Sequence, residues 1–247
     1  MKDRRSPPVL IIGAHRSGTT ATARALELLG LQIGQHLDSH SEPRPLQKLH
    51  EDYLRRAGGA WHNPEPFLEW IESVEGMQDC ISYLRSNVRR DFACIFGYRL
   101  NPKGFWLRAR LKFGRPWGWK EPRTTLFAPA WLEVFPGARI VHVIRDASAA
   151  ASSIRERELK FQAAGDPPTP NLADLDYCKQ LVQIYLSAGE RLANSANYHR
   201  VQFEELQANP PAMLERLANF CGLRVTTQQL AGAAASIRPA RVKSTSF

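Results

Sequence analysis

Residues 9–20 constrain this chain more than any other stretch. Val9-Leu-Ile-Ile12 is a short run of uninterrupted apolar residues, Gly13 to Gly18 a loop bounded by glycines. From Thr19 to Leu29 the apolar positions recur at helical spacing until Gly30 stops them. A buried strand, a tight loop and a helix in that order open a parallel α/β unit, because parallel strands are joined through crossover helices. The remaining chain must then supply further strands and enough helices to cover both faces of a sheet.

The pattern returns downstream. Leu46, Leu49, Tyr53 and Leu54 mark an amphipathic helix closed at Gly58-Gly59, and Glu69 to Val88 is a candidate helix. Leu126 to Phe135 reads as a helix ending at Pro136-Gly137, and Arg139 to Ile144 as a second buried strand. Asp146 suits the N-cap of a helix running to about Lys160. A long helix is expected over Leu172 to Asn194, a third strand over Tyr198 to Phe203, and a helix from Pro210 to about Cys221-Gly222. The stretch from Ile237 to Phe247 is basic and irregular. At 247 residues and 43% hydrophobic composition, such a chain buries a core without disulfides or structural metal.

The loop Gly13-Ala-His-Arg-Ser-Gly18-Thr19-Thr20 carries the first chemistry. Unbonded N–H groups and the positive dipole end of a helix suit a phosphate or sulfate. The spacing Gly13 to Gly18 matches the Walker phosphate loop, but Thr19 stands where that loop has its lysine, and Arg16 is the loop's cation. Neither Val9–Ile12 nor Ile140–Ile144 contains the aspartate of a magnesium-binding strand. The residues point to an anion site without a metal. A second cation, Arg145, follows the strand ending at Ile144, and Ser153 comes eight residues later in the next helix. Ligands of open α/β sheets bind at those strand ends.

These motifs resemble the sulfotransferases that use 3′-phosphoadenylyl sulfate. Arg16-Ser17-Gly18-Thr19-Thr20 after an apolar strand is similar to their 5′-phosphosulfate loop, with Arg rather than Lys at the first position as in many bacterial members. Arg145 and Ser153 resemble the 3′-phosphate site, Trp119-Lys120-Glu121-Pro122-Arg123 the family's Lys-[Asp/Glu]-Pro element, and Phe203-Glu204-Glu205-Leu206 its Tyr-Glu-Asp-Leu segment. Phe203 lacks the tyrosine hydroxyl, and the Arg-Lys-Gly element of cytosolic members is absent; Arg238, Arg241 and Lys243 are the candidates to replace it.

The resemblance implies a P-loop-like, three-layer α/β fold with a central parallel sheet flanked by helices. It implies one domain over residues 1–247, with 55–118 a helical or irregular insertion on the acceptor side. The reaction implied is in-line transfer of a sulfuryl group from 3′-phosphoadenylyl sulfate to a hydroxyl or amine of a small-molecule, glycan or lipid acceptor, without a metal. Arg16 and the amides of Ser17 to Thr20 would hold the leaving phosphate, and Lys120 would act as acid or electrostatic clamp. For the general base the order is Glu42, then His36, then His40.

Net charge is +9, and residues 85–123 carry all of it, with eleven Lys and Arg against Asp91 and Glu121. The surplus suits a funnel for an anionic donor or acceptor, or a surface for an acidic partner. The alternatives are a nucleotide kinase or NTPase with a degenerate phosphate loop, and a basic nucleic-acid-binding protein; no nucleic-acid partner is favoured. Four cysteines without CxxC spacing, an N-terminal apolar run of six residues and no transmembrane-length segment give the expectation of a cytoplasmic protein.

Overall fold

A computed structural model describes residues 7–34, 37–95 and 115–238, the side chains of 89–95 excepted. Five strands form one parallel sheet: β1 (Val9–Ile12), β2 (Gln32–Ile33), β3 (Trp117–Lys120), β4 (Arg139–Ile144) and β5 (Tyr198–Gln202), in the order β2-β3-β1-β4-β5. The register aligns Ile11 with Lys120 on one side and Val141 on the other. β1 thus lies at the centre, buried on both faces, and so reads as an uninterrupted apolar run rather than an alternation.

Successive β1 side chains feed two separate cores. Val9 and Ile11 pack with Val141, Val143, Ala23 and Leu26 of α1 (Thr19–Leu28), and with α9 (Pro210–Cys221) through Leu214 and Leu217. Leu10 and Ile12 join the opposite core with Leu126 and Phe127 of α5 (Thr124–Val134) and Leu181 and Tyr185 of α7 (Leu175–Glu190). That second core also takes in α2 (Arg44–Arg56), α3 (Glu65–Glu72), α4 (Val74–Ile95) and α6 (Ala147–Ala163). Two short helices, α8 (Phe203–Ala208) and α10 (Thr227–Ala235), complete the chain's described elements on the first face.

The three sequence strands are present, and two more join them. β3 was hidden because Trp117-Gly-Trp-Lys120 carries a glycine and a charge, and its strand character comes from pairing with β1 rather than from its own pattern. The stretch read as one helix from Glu69 is two, broken at Ser73, which is extended and whose hydroxyl accepts from Gly76 N at 2.9 Å. The long helix starts at Leu175, because Asp174 accepts hydrogen bonds from Asp176 N and Tyr177 N, and it ends at Glu190. Phe203 opens α8 instead of closing β5. α10 was not expected, although Thr226 and Gln229 form a full capping box that the sequence displays. Asp146 caps α6 as expected, accepting from Ala149 N at 2.8 Å.

The connection leaving β1 runs through α1 on one face to β2; the one leaving β4 runs through α6 and α7 on the other face to β5. The chain therefore opens a crevice between the carboxyl ends of β1 and β4, the switch point at which such sheets bind ligands. Among the described residues no helix is long and apolar enough to cross a membrane.

One contact sets how closely α7 approaches the sheet. Gly189 lies directly against the ring of His142 on β4, so a Cβ there collides with an imidazole fixed by Tyr198 Oη at 2.7 Å. Gly189→Ala is expected to cost about 1–3 kcal/mol by overpacking. Thermal denaturation should show the melting temperature falling by about 2–4 °C for each kcal/mol lost; an unchanged melting temperature would mean that α7 shifts freely.

Candidate active site

The crevice is a cavity of about 950 Å³, walled by the loop after β1, the loop before α2, the turn after β3 and one side of α6. Its floor is the N-terminus of α1. Gly18 precedes that helix with φ 96°, a left-handed conformation open to glycine, and brings no side chain to cap it. The first-turn N–H groups of α1 therefore have no partner within the helix or its cap. Gly13, at φ 146°, starts the loop; its N–H donates to Thr125 Oγ1 at 2.9 Å, and Thr125 Oγ1 returns a bond to Gly13 O at 3.2 Å. Phe203 packs its ring directly on Gly18.

The two motifs expected from sequence to bind anions meet here. Arg16, at φ 68°, donates from Nε to Ser153 Oγ at 3.0 Å, and Arg145 Nη1 donates to Arg16 O at 3.1 Å. Residues separated by some 130 positions thus form one cationic lip, and Arg145 lies over the Phe203 ring at 5.9 Å. Glu204 braces that lip by accepting from Asp146 N at 3.0 Å.

Across the floor, Lys120 at the end of β3 has no solvent exposure, yet its ammonium donates to Glu42 Oε1 at 2.6 Å and to Thr20 Oγ1 at 3.2 Å. Burial lowers the Lys120 pKa, and the Glu42 carboxylate opposes that shift. Glu42 is held on its other oxygen by Gln47 Nε2 at 2.7 Å. The loop that carries it is tied down by Asp38, which accepts from His40 N and Glu42 N, and by Arg24 of α1, which donates to Ser39 O and Ser41 Oγ.

Below Lys120 lies a second buried ionic group. Glu121 accepts from Arg123 Nη1 and from His50 Nδ1, both at 2.5 Å, and Arg123 Nη2 reaches Glu51 Oε1 at 2.7 Å. Trp131 Nε1 donates to His50 Nε2 at 2.9 Å, which places the His50 proton on Nδ1, facing Glu121. Burial would raise the Glu121 pKa, but the Arg123 charge and the His50 hydrogen bond hold it well below the carboxylate range. Arg123 Nε has no partner among the described residues.

Of the residues expected from sequence, the cavity therefore brings together Arg16, Gly18, Thr19, Thr20, Arg145 and Glu42, with Ser153 and Lys120 bonded to its lining. Ser17 lies in the loop with its hydroxyl turned back to Ala14 O at 2.7 Å. His40 lines the cavity, half exposed, against Ser39 Oγ. His36 and Arg241 lie outside the described residues, as do Arg99, Lys103, Arg108, Arg110, Lys112 and Trp106 of the basic stretch and the side chains of Arg89 and Arg90. Two members of that stretch, Lys120 and Arg123, are not part of an open funnel: both are buried and ion-paired. Trp61 lines the cavity, whereas Trp117, Trp119 and Trp131 are core. Arg24, Arg157 and His15 also line it and were not singled out; Arg157 stands four residues after Ser153, one helical turn, which was the signal available.

A family model described as "Sulfotransferase family" matches residues 7–227. Over 108 residues the chain is 28% identical to the omega-hydroxy-beta-dihydromenaquinone-9 sulfotransferase Stf3 of Mycobacterium tuberculosis and of Mycobacterium bovis. That alignment takes in 42% of this chain and 28% of each relative, so the match spans little more than a quarter of those proteins. The sulfotransferase STF9 from Mycobacterium avium superposes with TM-score 0.54 and 15% identity, over 93% of this chain and 67% of that one. The sulfotransferase domain of the Synechococcus PCC 7002 olefin synthase gives TM-score 0.51 and 15% identity, over 93% and 77%. At such identity the likeness to these two structures is one of fold.

The buried titratable groups under the cavity contribute to the acid sensitivity of the fold. Burial pushes His15 and His50 below the ordinary value of 6.5, and Glu121 is held below 4.5 despite burial. In each case the unfolded chain takes up the proton first. Stability is therefore whole above about pH 6.5 and is lost as the pH falls through 6.5 and then through 4.5. Glu121→Gln should lower the melting temperature at pH 7, since breaking a buried pair costs about 3–5 kcal/mol, and should flatten the loss below pH 4.5. Melting curves from pH 7 to 3 test both; a Glu121→Gln profile parallel to wild type would exclude Glu121 as the group responsible.

Proposed function

The chain belongs to the sulfotransferase family, and from that membership we propose that it transfers a sulfuryl group from 3′-phosphoadenylyl sulfate to a hydroxyl or amine of a small-molecule, glycan or lipid acceptor. The observation that carries the reading is the direct join of the two anion motifs. Arg16, Ser153 and Arg145 form one lip over an uncapped helix N-terminus at the switch point of the sheet. The aligned mycobacterial relatives, named as sulfotransferases of a hydroxylated menaquinone, support a hydroxyl acceptor. The whole of residues 1–247 is read as one domain, with 55–118 on the acceptor side.

The donor set suits a doubly phosphorylated, sulfated nucleotide. Gly13 and Gly18 take the positive φ that lets the loop curl, the first turn of α1 offers free N–H groups, and the adjacent cations include arginines, whose forked donors match oxyanions. When bound, the donor supplies the sulfuryl group and a 5′-phosphate leaving group. Arg16 and the amides of Ser17 to Thr20 are the groups to hold that phosphate. Arg145 and Ser153 are the groups for the 3′-phosphate, and Arg241 is proposed to join them. Phe203, already packed on Gly18 and under Arg145, offers a ring face to the base.

Glu42 is assigned as the base that takes the acceptor proton, with His36 second and His40 third. Its Oε1 shares the Lys120 ammonium, and Lys120 also touches Thr20 of the phosphate loop, so base, clamp and anion cradle occupy one corner. Lys120 is placed to neutralise charge growing on a leaving oxygen at that corner.

Adenosine 3′,5′-bisphosphate should bind without magnesium. Arg16→Ala and Arg145→Ala should each weaken it by about 10–100-fold, the worth of a charge-assisted hydrogen bond. Glu42→Gln should leave that binding within about 3-fold and slow sulfate transfer by at least about 100-fold. Titration calorimetry and transfer of labelled sulfate from the donor into cell extract test these. Absence of bisphosphate binding together with magnesium-dependent ATP turnover would replace this reading with that of an NTPase.

A further inference from the structure

The part of the cavity lined by Trp61 and Arg157 has a different character. Arg157, one turn beyond Ser153 on α6, is half-buried there, its guanidinium carbon 5.9 Å from the ring of Trp61 and 5.2 Å from that of Phe161. Two aromatic rings fix a guanidinium while its in-plane N–H edge stays available to a ligand. Among the described residues no hydrogen-bond acceptor and no carboxylate is paired with Arg157. The neighbouring acid, Glu158, is engaged elsewhere, accepting from Thr169 N at 2.7 Å and Gln162 Nε2 at 2.9 Å.

The charges that act on Arg157 are Arg16, Glu42, Glu158 and Arg123. Glu42 already serves Lys120 and Gln47, and Arg123 already serves Glu121 and Glu51. Burial, and then the Arg16 charge, press against the protonated form of Arg157, so an anion in this corner relieves both. Trp61 is itself held in place: Tyr185 Oη donates to Trp61 O at 2.9 Å, and the His15 ring lies 4.4 Å from the indole. The corner thus combines a flat aromatic wall, a guanidinium with no counter-ion among the described residues, and proximity to the assigned base.

We propose that this corner is an acceptor subsite for an oxyanion carried by the acceptor itself, in its simplest form a carboxylate on a planar frame, recognised by Arg157 against the face of Trp61. This rests on the sulfotransferase reading of the cavity and narrows its substrate class: the acceptor presents a hydroxyl to Glu42 and a separate anionic group to Arg157. The subsite involves binding only; no bond forms or breaks at Arg157.

The probe pair is 4-hydroxybenzoate and 4-hydroxybenzamide, titrated by ligand-observed NMR against the protein saturated with adenosine 3′,5′-bisphosphate. The carboxylate should bind about 10-fold or more tighter than the amide, as a charge-assisted pair does. Arg157→Gln should bring the two within about 2-fold, and Arg157→Lys should restore part of the difference, which a merely structural role would not do. Both variants should bind the bisphosphate within about 3-fold of wild type. Equal binding of acid and amide to the wild-type protein, or binding of neither, overturns the proposal without any variant. So does an Arg157→Gln protein that loses bisphosphate affinity as far as carboxylate affinity, because Arg157 then belongs to the donor. If the wild-type protein does not bind the bisphosphate, the donor reading fails by itself. The same acid and amide titration without it still decides the subsite.

Discussion

A lysine ammonium with no exposure to solvent must have a counter-charge, and the pairing of Lys120 with Glu42 is the contact on which the rest of the site depends. Lys120 ends β3, Thr20 belongs to the first turn of α1, and Glu42 sits on a loop braced by Asp38 and Arg24. One ammonium therefore ties a strand, a helix and a loop that are distant in sequence. Without Glu42 the lysine would be an unpaired charge in the core; without Lys120 the loop would lose its anchor to the sheet. The geometry of the cavity floor follows from that neutralisation as much as from hydrophobic packing.

Charge placement also revises the meaning of the +9. Within the described residues, the members of the basic stretch nearest the cavity are consumed internally: Lys120 by Glu42, Arg123 by Glu121 and Glu51. The cations that face the cavity come mostly from elsewhere, namely Arg16, Arg24, Arg145, Arg157 and Arg238. Against them the cavity sets Asp38 and Glu42, both already hydrogen-bonded. A cavity with that excess concentrates anions through its own field, independently of where the chain's net charge is counted.

The sheet's centre was legible because β1 and β4 are buried on both faces, and burial of that kind leaves a continuous apolar signature. The loop between β1 and α1 was legible because backbone geometry demands glycine at Gly13 and Gly18. β3 was not, because Trp117-Gly-Trp-Lys120 becomes a strand only through its neighbours β1 and β2. Arg145 and Ser153 could be placed near each other from the strand-end rule, but their union through Arg16 required the backbone of Arg16 to turn into the left-handed region, which its sequence does not announce. Trp61 was a candidate for the acceptor pocket from sequence, but its partnership with Arg157 escaped notice for a further reason. Their partnership joins a loop before α3 to the third turn of α6, and nothing local to either residue encodes it.

Thr19 at the Walker lysine position counted against an NTPase because the phosphate cation was missing from the loop. The structure gives that absence a positive sense. Lys120 enters from β3, one strand away, and its ammonium lies 3.2 Å from Thr20 Oγ1, beside the same helix N-terminus. A lysine in the loop is free to follow a phosphate chain with its long flexible stem; a lysine in a strand, buried and paired with a carboxylate, is fixed in one place. Such a cation cannot track a triphosphate; in the proposed reaction it would neutralise charge at a single atom while its partner carboxylate takes the acceptor proton beside it. Placing the two in contact couples their charges, so loss of negative charge from Glu42 leaves Lys120 with more of its own to offer an incoming oxyanion. The exchange of a loop lysine for a strand lysine therefore suits transfer of one small anionic group at a fixed point.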